Sequence, residues 1–254
     1  MVTERDILAD MHTHTIFSKH AFSTVKENID VAKEKNLKYI AITDHYYGNG
    51  DDIEKKNEIN RILYLGKRIN GVEPNITVIS SAEFNLGHEV YNFDELKKLI
   101  WKPIGLHSWF VDRDNLTIEA VYNLFVEAHH RGYNAFNHIE REFHKFNHSS
   151  YTFDECMEGI KRIIDYASVN DIWLEANESS ISQNDGQSAE RLCAWLQYAK
   201  EKECKIYLGS DAHFCAEVGV FSNLIRVLNE IDYPKELILN CNEKILNLMF
   251  LEVK

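Results

Sequence analysis

The sequence predicts an α/β fold in which parallel strands alternate with helices. Three observations carry this. Short apolar runs alternate with segments of helical periodicity along the chain. No antiparallel hairpin signal joins two of those runs. Almost every run also ends in a histidine or an acid, and the C-terminal ends of parallel strands are where α/β folds keep their sites.

The elements follow in order. Ile7 to Met11 reads as a first strand, and Thr24 to Lys35 as a helix capped by Ser23 or Thr24. Tyr39 to Thr43 is a buried strand, and Ile53 to Ile69 a charged helix. Ile76 to Ala82 is the third strand, with a short helix near Asp94 to Leu99. Pro103 to Leu106 is a brief fourth strand, and Ile118 to His130 a helix ended by Gly132. Ala135 to Asn137 is the fifth strand, followed by a helix over Phe153 to Val169. Ile172 to Ala176 is the sixth strand, and Ser188 to Lys202 a helix. Ile206 to Gly209 is the seventh strand, Glu217 to Ile231 a helix, and Glu243 to Glu252 a helical tail. These make about seven strand–helix units with right-handed crossovers. Pattern alone does not decide between a closed barrel and an open doubly wound sheet.

With 254 residues, few prolines and no linker-like stretch, the chain is expected to form a single domain over residues 1–254. Hydrophobic residues at 44% and charged residues at 27% place it among globular rather than disordered chains. The net charge of −12 argues against nucleic acid and anionic membranes as partners, because both attract basic patches. An anionic substrate stays open, since bound metal ions invert the local field. The five cysteines are scattered without a C-x-x-C pair, which points to a reducing compartment. With no apolar signal core and no run of spanning length, a cytoplasmic location is expected.

The strand ends hold the chemistry. The first runs into Asp10-Met11-His12-Thr13-His14, the second into Asp44-His45, and the third into Glu83. The fourth ends at His107, the fifth at His138, and the seventh at Asp211-Ala212-His213. Residues two apart on a strand share a face, so His12 and His14 can grip one ion, and Asp211 and His213 repeat that spacing. A lone H-x-H is usually a chance pair, but histidines at four other strand ends reverse those odds. His20 lies in the loop after the first strand. His129 and His130 precede a glycine at a helix end, where they face the helix dipole, and read as structural. His144 and His148 lie in a polar loop and are read as outside the site; His88 is undecided. Arg141 and Lys19, beside His138 and His20, are candidate phosphate contacts or solvated surface charges.

Together these residues resemble the PHP (polymerase and histidinol phosphatase) superfamily. The matching stretches are D-x-H-x-H-T (Asp10 to Thr15), I-T-D-H (Ile42 to His45), Glu83, His107, His138 and G-S-D-A-H (Gly209 to His213). Within it the chain looks most like the YcdX-type phosphatases, through His20 with Ala21-Phe22-Ser23-Thr24, Leu174-Glu175-Ala176-Asn177 with Ser179-Ser180, and Ile238-Leu239-Asn240. The resemblance implies a distorted (β/α)7 barrel and a trinuclear metal site at the C-terminal strand ends. It implies one ion on His12, His14, Glu83 and Asp211, and a second sharing Glu83 and taking His107 and His138. A third would take His20, His45 and His213, and Asp10 would orient a ligand imidazole. Departures lie at Ile139-Glu140-Arg141-Glu142, where the group often has a Pro-Gly turn, and at Ser108-Trp109-Phe110 after His107. Both bear on substrate preference.

The expected activity is hydrolysis of a small phosphate monoester, with metal-bound hydroxide as nucleophile and no protein nucleophile. About three divalent ions are expected, zinc first, with manganese or iron as alternatives suited to mixed imidazole and carboxylate ligands. Rival readings are a metal-dependent phosphodiesterase or nuclease, an amidohydrolase-type barrel, and a non-catalytic metal store or sensor. The proton donor to the leaving group and the oligomeric state are not legible in the sequence.

Overall fold

β-Branched and aromatic runs form the strands, and each is buried on both faces, as parallel strands covered by helices require. The computed structural model describes residues 1–48, 52–87, 94–107, 116–141, 151–182 and 186–250. His88, Ser108, Trp109, Phe110, Glu142, His144 and His148 lie outside these, as does the tail beyond Phe250.

Eight paired segments make two parallel sheets. The first holds β1 (Ala9–Asp10), β2 (Tyr39–Ile42) and β3 (Thr77–Ser80), in that order. The second holds β4 (Phe84–Asn85), β5 (Pro103–Gly105), β6 (Ala135–Phe136), β7 (Trp173–Asn177) and β8 (Ile206–Gly209), also in order. Here the structure departs from the seven strands expected. The third strand is interrupted after Ser80, so β3 pairs with β2 while β4 pairs with β5, and Glu83 stands at the break.

The two sheets meet on two sides, through the chain just past β2 and just past β1. His45 bridges to Glu83 on one side, and Thr13 to Ala212 on the other. On that second side Met11 N donates to Leu208 O (3.3 Å), Asp211 N to His12 O (2.9 Å) and His14 N to Ala212 O (2.9 Å). Further down, the Asn240 amide stands between β1 and β8. Its Nδ2 donates to Ala9 O (2.8 Å) and Leu208 O (2.9 Å), and its Oδ1 accepts from Leu208 N (2.7 Å).

Strand alternation divides the core in two. Ala9, Tyr39, Ala41, Ile79, Ala135, Trp173 and Tyr207 pack together with Trp101, and Leu239, Leu246 and Phe250 join them from the C-terminal segment. The intervening Ile40, Ile42, Val78, Phe136, Leu174 and Leu208 face the helices.

Helices among the described residues include α1 (Val25–Glu34), α2 (Asp52–Asn70), α3 (Ile118–His130), α4 (Phe153–Val169), α5 (Glu178–Ser182), α6 (Gly186–Glu201), α7 (Ser222–Glu230) and α8 (Glu243–Phe250). Thr24, rather than Ser23, caps α1, in a capping box with Glu27. The helix expected near residues 94–99 is a 3₁₀ turn, Leu96–Lys98. The one expected from Glu217 begins only at Ser222. Gly219 takes φ +67° and turns its N–H onto Asp10 Oδ2 (2.8 Å), which breaks the helix. The short α5 was not anticipated; Glu178 in it caps α7, accepting from Asn223 N (3.1 Å) and Leu224 N (2.9 Å). No disulfide joins the five cysteines. Among the described residues no helix is long and apolar enough to cross a membrane.

Candidate metal centre

All nine predicted ligand residues come together at the C-terminal strand ends. Glu83, fully buried at the break between β3 and β4, is the hub. Its Oε1 lies 2.8 Å from His138 Nε2 and 3.5 Å from His107 Nε2. Its Oε2 lies 3.0 Å from His45 Nδ1, 3.4 Å from His12 Nε2 and 3.6 Å from His14 Nε2. Asp211 Oδ1 faces His14 Nε2 at 3.2 Å and His12 Nε2 at 3.7 Å. The His213 ring stands 4.5 Å from that of His14, and the more exposed His20 ring 4.7 Å from His213 and 5.0 Å from His45.

These donors fall into three overlapping groups: His12 with His14 and Glu83, His45 with Glu83 and His107, and His14 with His45 and His213. The groups overlap the sets the resemblance implies but do not match them: His14 joins His45 and His213 in place of His20, His45 joins Glu83 and His107 in place of His138, and Asp211 falls in none.

Backbone strain accompanies the convergence. Asp211 and His138 adopt φ of +57° and +27°, a region costing a non-glycine residue about 1–3 kcal/mol. Both are pinned: Asp211 N donates to His12 O, and His138 N to Glu175 Oε2 (2.8 Å). Two glycines make room. A Cβ on Gly209 would stand 2.1 Å from Glu175 Oε1, and one on Gly105 2.8 Å from His138 Cε1.

Hydrogen-bond partners assign the histidine tautomers. Glu175, an acceptor, takes His12 Nδ1–H at 2.6 Å. The single Ser18 hydroxyl proton goes to Asp44 Oδ1 (2.6 Å), so His14 Nδ1–H donates to Ser18 Oγ (2.9 Å). Both rings therefore turn Nε2 inward, and these two atoms lie 2.9 Å apart. Two lone pairs at that separation would repel, so the pair, faced by two carboxylates, calls for a positive charge between them, a proton or a metal ion. This donor set fits a divalent metal ion.

Without an ion, the surrounding charges put that positive charge on His12. Burial opposes the His12 cation, but the carboxylates of Glu175, Glu83 and Asp211 outweigh it and hold the imidazole well above its ordinary range. For His14 burial prevails, and it falls well below. Burial likewise works against ionised Glu83 and Asp211, yet the surrounding imidazoles, with Arg141 at Asp211, keep both well below the usual carboxylate range.

Several expectations change in the structure. Asp10 does not touch an imidazole: its carboxylate accepts the backbone N–H groups of His12 (3.3 Å), Ser210 (3.1 Å) and Gly219 (2.8 Å). It ties the end of β1 to the chain after β8, and orienting His12 falls to Glu175. Sequence reasoning gives Glu175 no role, although an acid inside the apolar run Ile172 to Ala176 signals a buried partner. It also misses Ser18 and Asn137, whose Nδ2 donates to Glu83 Oε1 (2.8 Å). Arg141 is buried beside Asp211, whereas Lys19 is exposed over the Tyr47 ring. His129 lies away from the site, its Nδ1 2.8 Å from Tyr166 Oη.

Comparison with known proteins places this arrangement. A protein named a probable phosphatase, from Caldanaerobacter subterraneus subsp. tengcongensis, is 34% identical over 254 residues, covering 92% of this chain and 87% of its own. Another from Shewanella loihica is 30% identical over 245 residues, covering 94% and 91%. Among solved structures, the histidinol phosphate phosphatase of Lactococcus lactis subsp. lactis, complexed with zinc, L-histidinol and phosphate, has a TM-score of 0.60. It is 17% identical and covers 89% of this chain and 94% of its own, a likeness of fold. The PHP domain model matches residues 10–182, a span that includes every predicted ligand except Asp211 and His213. The chain belongs to the PHP family.

Proposed function

We propose that this chain is a phosphatase that hydrolyses a small phosphate monoester at a cluster of about three divalent ions. Residues 1–254 would act as one domain, its two sheets forming the wall of a distorted barrel. The observation that carries this reading is the convergence of seven imidazoles on Glu83 and Asp211 at the strand ends.

His12, His14, Glu83 and Asp211 would hold one ion, and Glu83, His107 and His138 a second. His20, His45 and His213 would hold a third, with His45 near enough to Glu83 to share the second. Bound divalent ions supply charge neutralisation at the phosphoryl group and lower the pKa of water toward ~7. The remaining work belongs to the chain. Glu83 turns one carboxylate oxygen to each of two imidazole sets and so spaces them. Glu175 and Ser18 fix His12 and His14 with Nε2 facing inward. Ionised Glu83 and Asp211 offset part of the positive charge, which keeps an anionic product from binding too tightly to leave. Zinc is the first choice for this donor set, with manganese or iron as alternatives.

The test compares p-nitrophenyl phosphate with bis(p-nitrophenyl) phosphate after reconstitution with zinc or manganese. Faster monoester cleavage is expected. Faster diester cleavage would replace this reading with that of a phosphodiesterase.

A further inference from the structure

Arg141 enters as a candidate phosphate contact, but its surroundings assign it different work. It is buried, with 9% of its surface exposed. Each terminal nitrogen already donates to a protein oxygen. Nη1 reaches Asp211 Oδ2 at 2.9 Å, and Nη2 reaches Ser179 Oγ at 2.6 Å, with Asn177 Oδ1 at 3.5 Å. Asn177 completes a triangle, its Nδ2 lying 3.4 Å from the same Asp211 Oδ2. The other oxygen of Asp211 is the one that faces the imidazoles of His12 and His14.

We propose that Arg141 is a positioning residue that reserves Asp211 Oδ2 and leaves Oδ1 alone to bind the cation shared with His12 and His14. This rests on the reading of the site as a metal centre. A carboxylate free to rotate can bind an ion through either oxygen or both. A guanidinium on one oxygen removes that freedom and fixes the carboxylate plane. Ser179 and Asn177 anchor the guanidinium in turn, so the restraint runs from α5 and the end of β7 to the ion. Partners that orient metal ligands in this way are typically worth 10–100-fold in affinity or activity. Lysine cannot reproduce the two-edged arrangement, because its ammonium is a single point donor.

The test titrates cobalt(II) into wild type, Arg141→Met, Arg141→Lys and Ser179→Ala. The visible absorption band and competition with a chelator report binding, and inhibition by inorganic phosphate is measured at saturating metal. Arg141→Met should weaken cobalt binding roughly 10–100-fold and change the band, with the phosphate inhibition constant within about threefold of wild type. Arg141→Lys should recover part of that loss, and Ser179→Ala should shift affinity in the same direction by less. Should Arg141→Met fail to fold, Ser179→Ala still carries the test. Unchanged cobalt affinity with a tenfold weaker phosphate inhibition would make Arg141 a phosphate contact and overturn the proposal, as would variants indistinguishable from wild type. Wild type that binds no cobalt would instead overturn the metal-centre reading beneath it.

Discussion

Glu175 shows how a buried acid serves a site it does not enter. One oxygen fixes the His12 tautomer and the other holds the strained backbone of His138, so a single side chain aligns two predicted ligands from different strands. Gly209 provides the space for it, since any Cβ there collides with Glu175 Oε1 and lies 2.6 Å from His12 Cβ. Gly209→Ala is expected to lower metal content and cut turnover by about 100-fold, the usual consequence of misplacing a reacting group by 1 Å. His129→Ala, in α3 against Tyr166, should change neither; a parallel assay of both variants with metal analysis checks the contrast. The ligand types were legible because all but His20 stand at or just past the end of an apolar run. The residues that orient them were not, because Asn137 and Glu175 act on partners distant in the chain, and Ser18 accepts from His14 only because its own proton goes to Asp44, 26 residues on.

At the scale of elements, apolar periodicity located the strands and most helices. It failed where a single residue overrides the pattern. Gly219 interrupts what reads as one helix because its N–H is drawn to Asp10, and the third strand breaks where Glu83 must turn inward. The start of α7 depends on Glu178, which is buried and accepts from Asn223 and Leu224 N–H groups in place of a local cap. Glu178→Ala should therefore cost about 2 kcal/mol, the scale of a lost hydrogen bond to a charged group. In a chain of this size that corresponds to a fall in Tm of roughly 4–8 °C, measurable by calorimetry. A Tm within 1 °C of wild type would show that α7 is held by packing alone.

For the whole molecule, the net charge of −12 and the electron-rich centre point the same way. Divalent ions that bind the folded chain and not the unfolded one would stabilise it by mass action. At a free concentration of 100 times Kd the gain is about 2.7 kcal/mol. Removing metal with a chelator should then lower Tm by roughly 5–10 °C, and re-addition should restore it. That the strands run parallel followed from the sequence; their sequential order did not, because the pattern fits both a closed barrel and an open doubly wound sheet. The meeting of the two sheets did not, because it depends on Asn240 standing between β1 and β8.

The central claim is that the converging histidines and acids hold ions that perform monoester hydrolysis. The most direct measurement is the metal content per chain, by mass spectrometry, of wild type and Glu83→Ala, each paired with its rate on p-nitrophenyl phosphate. The account predicts about three divalent ions in wild type, loss of most of them in the variant, and loss of turnover with them. Wild type that hydrolyses the ester without bound metal, or Glu83→Ala that keeps both its ions and its rate, would contradict it.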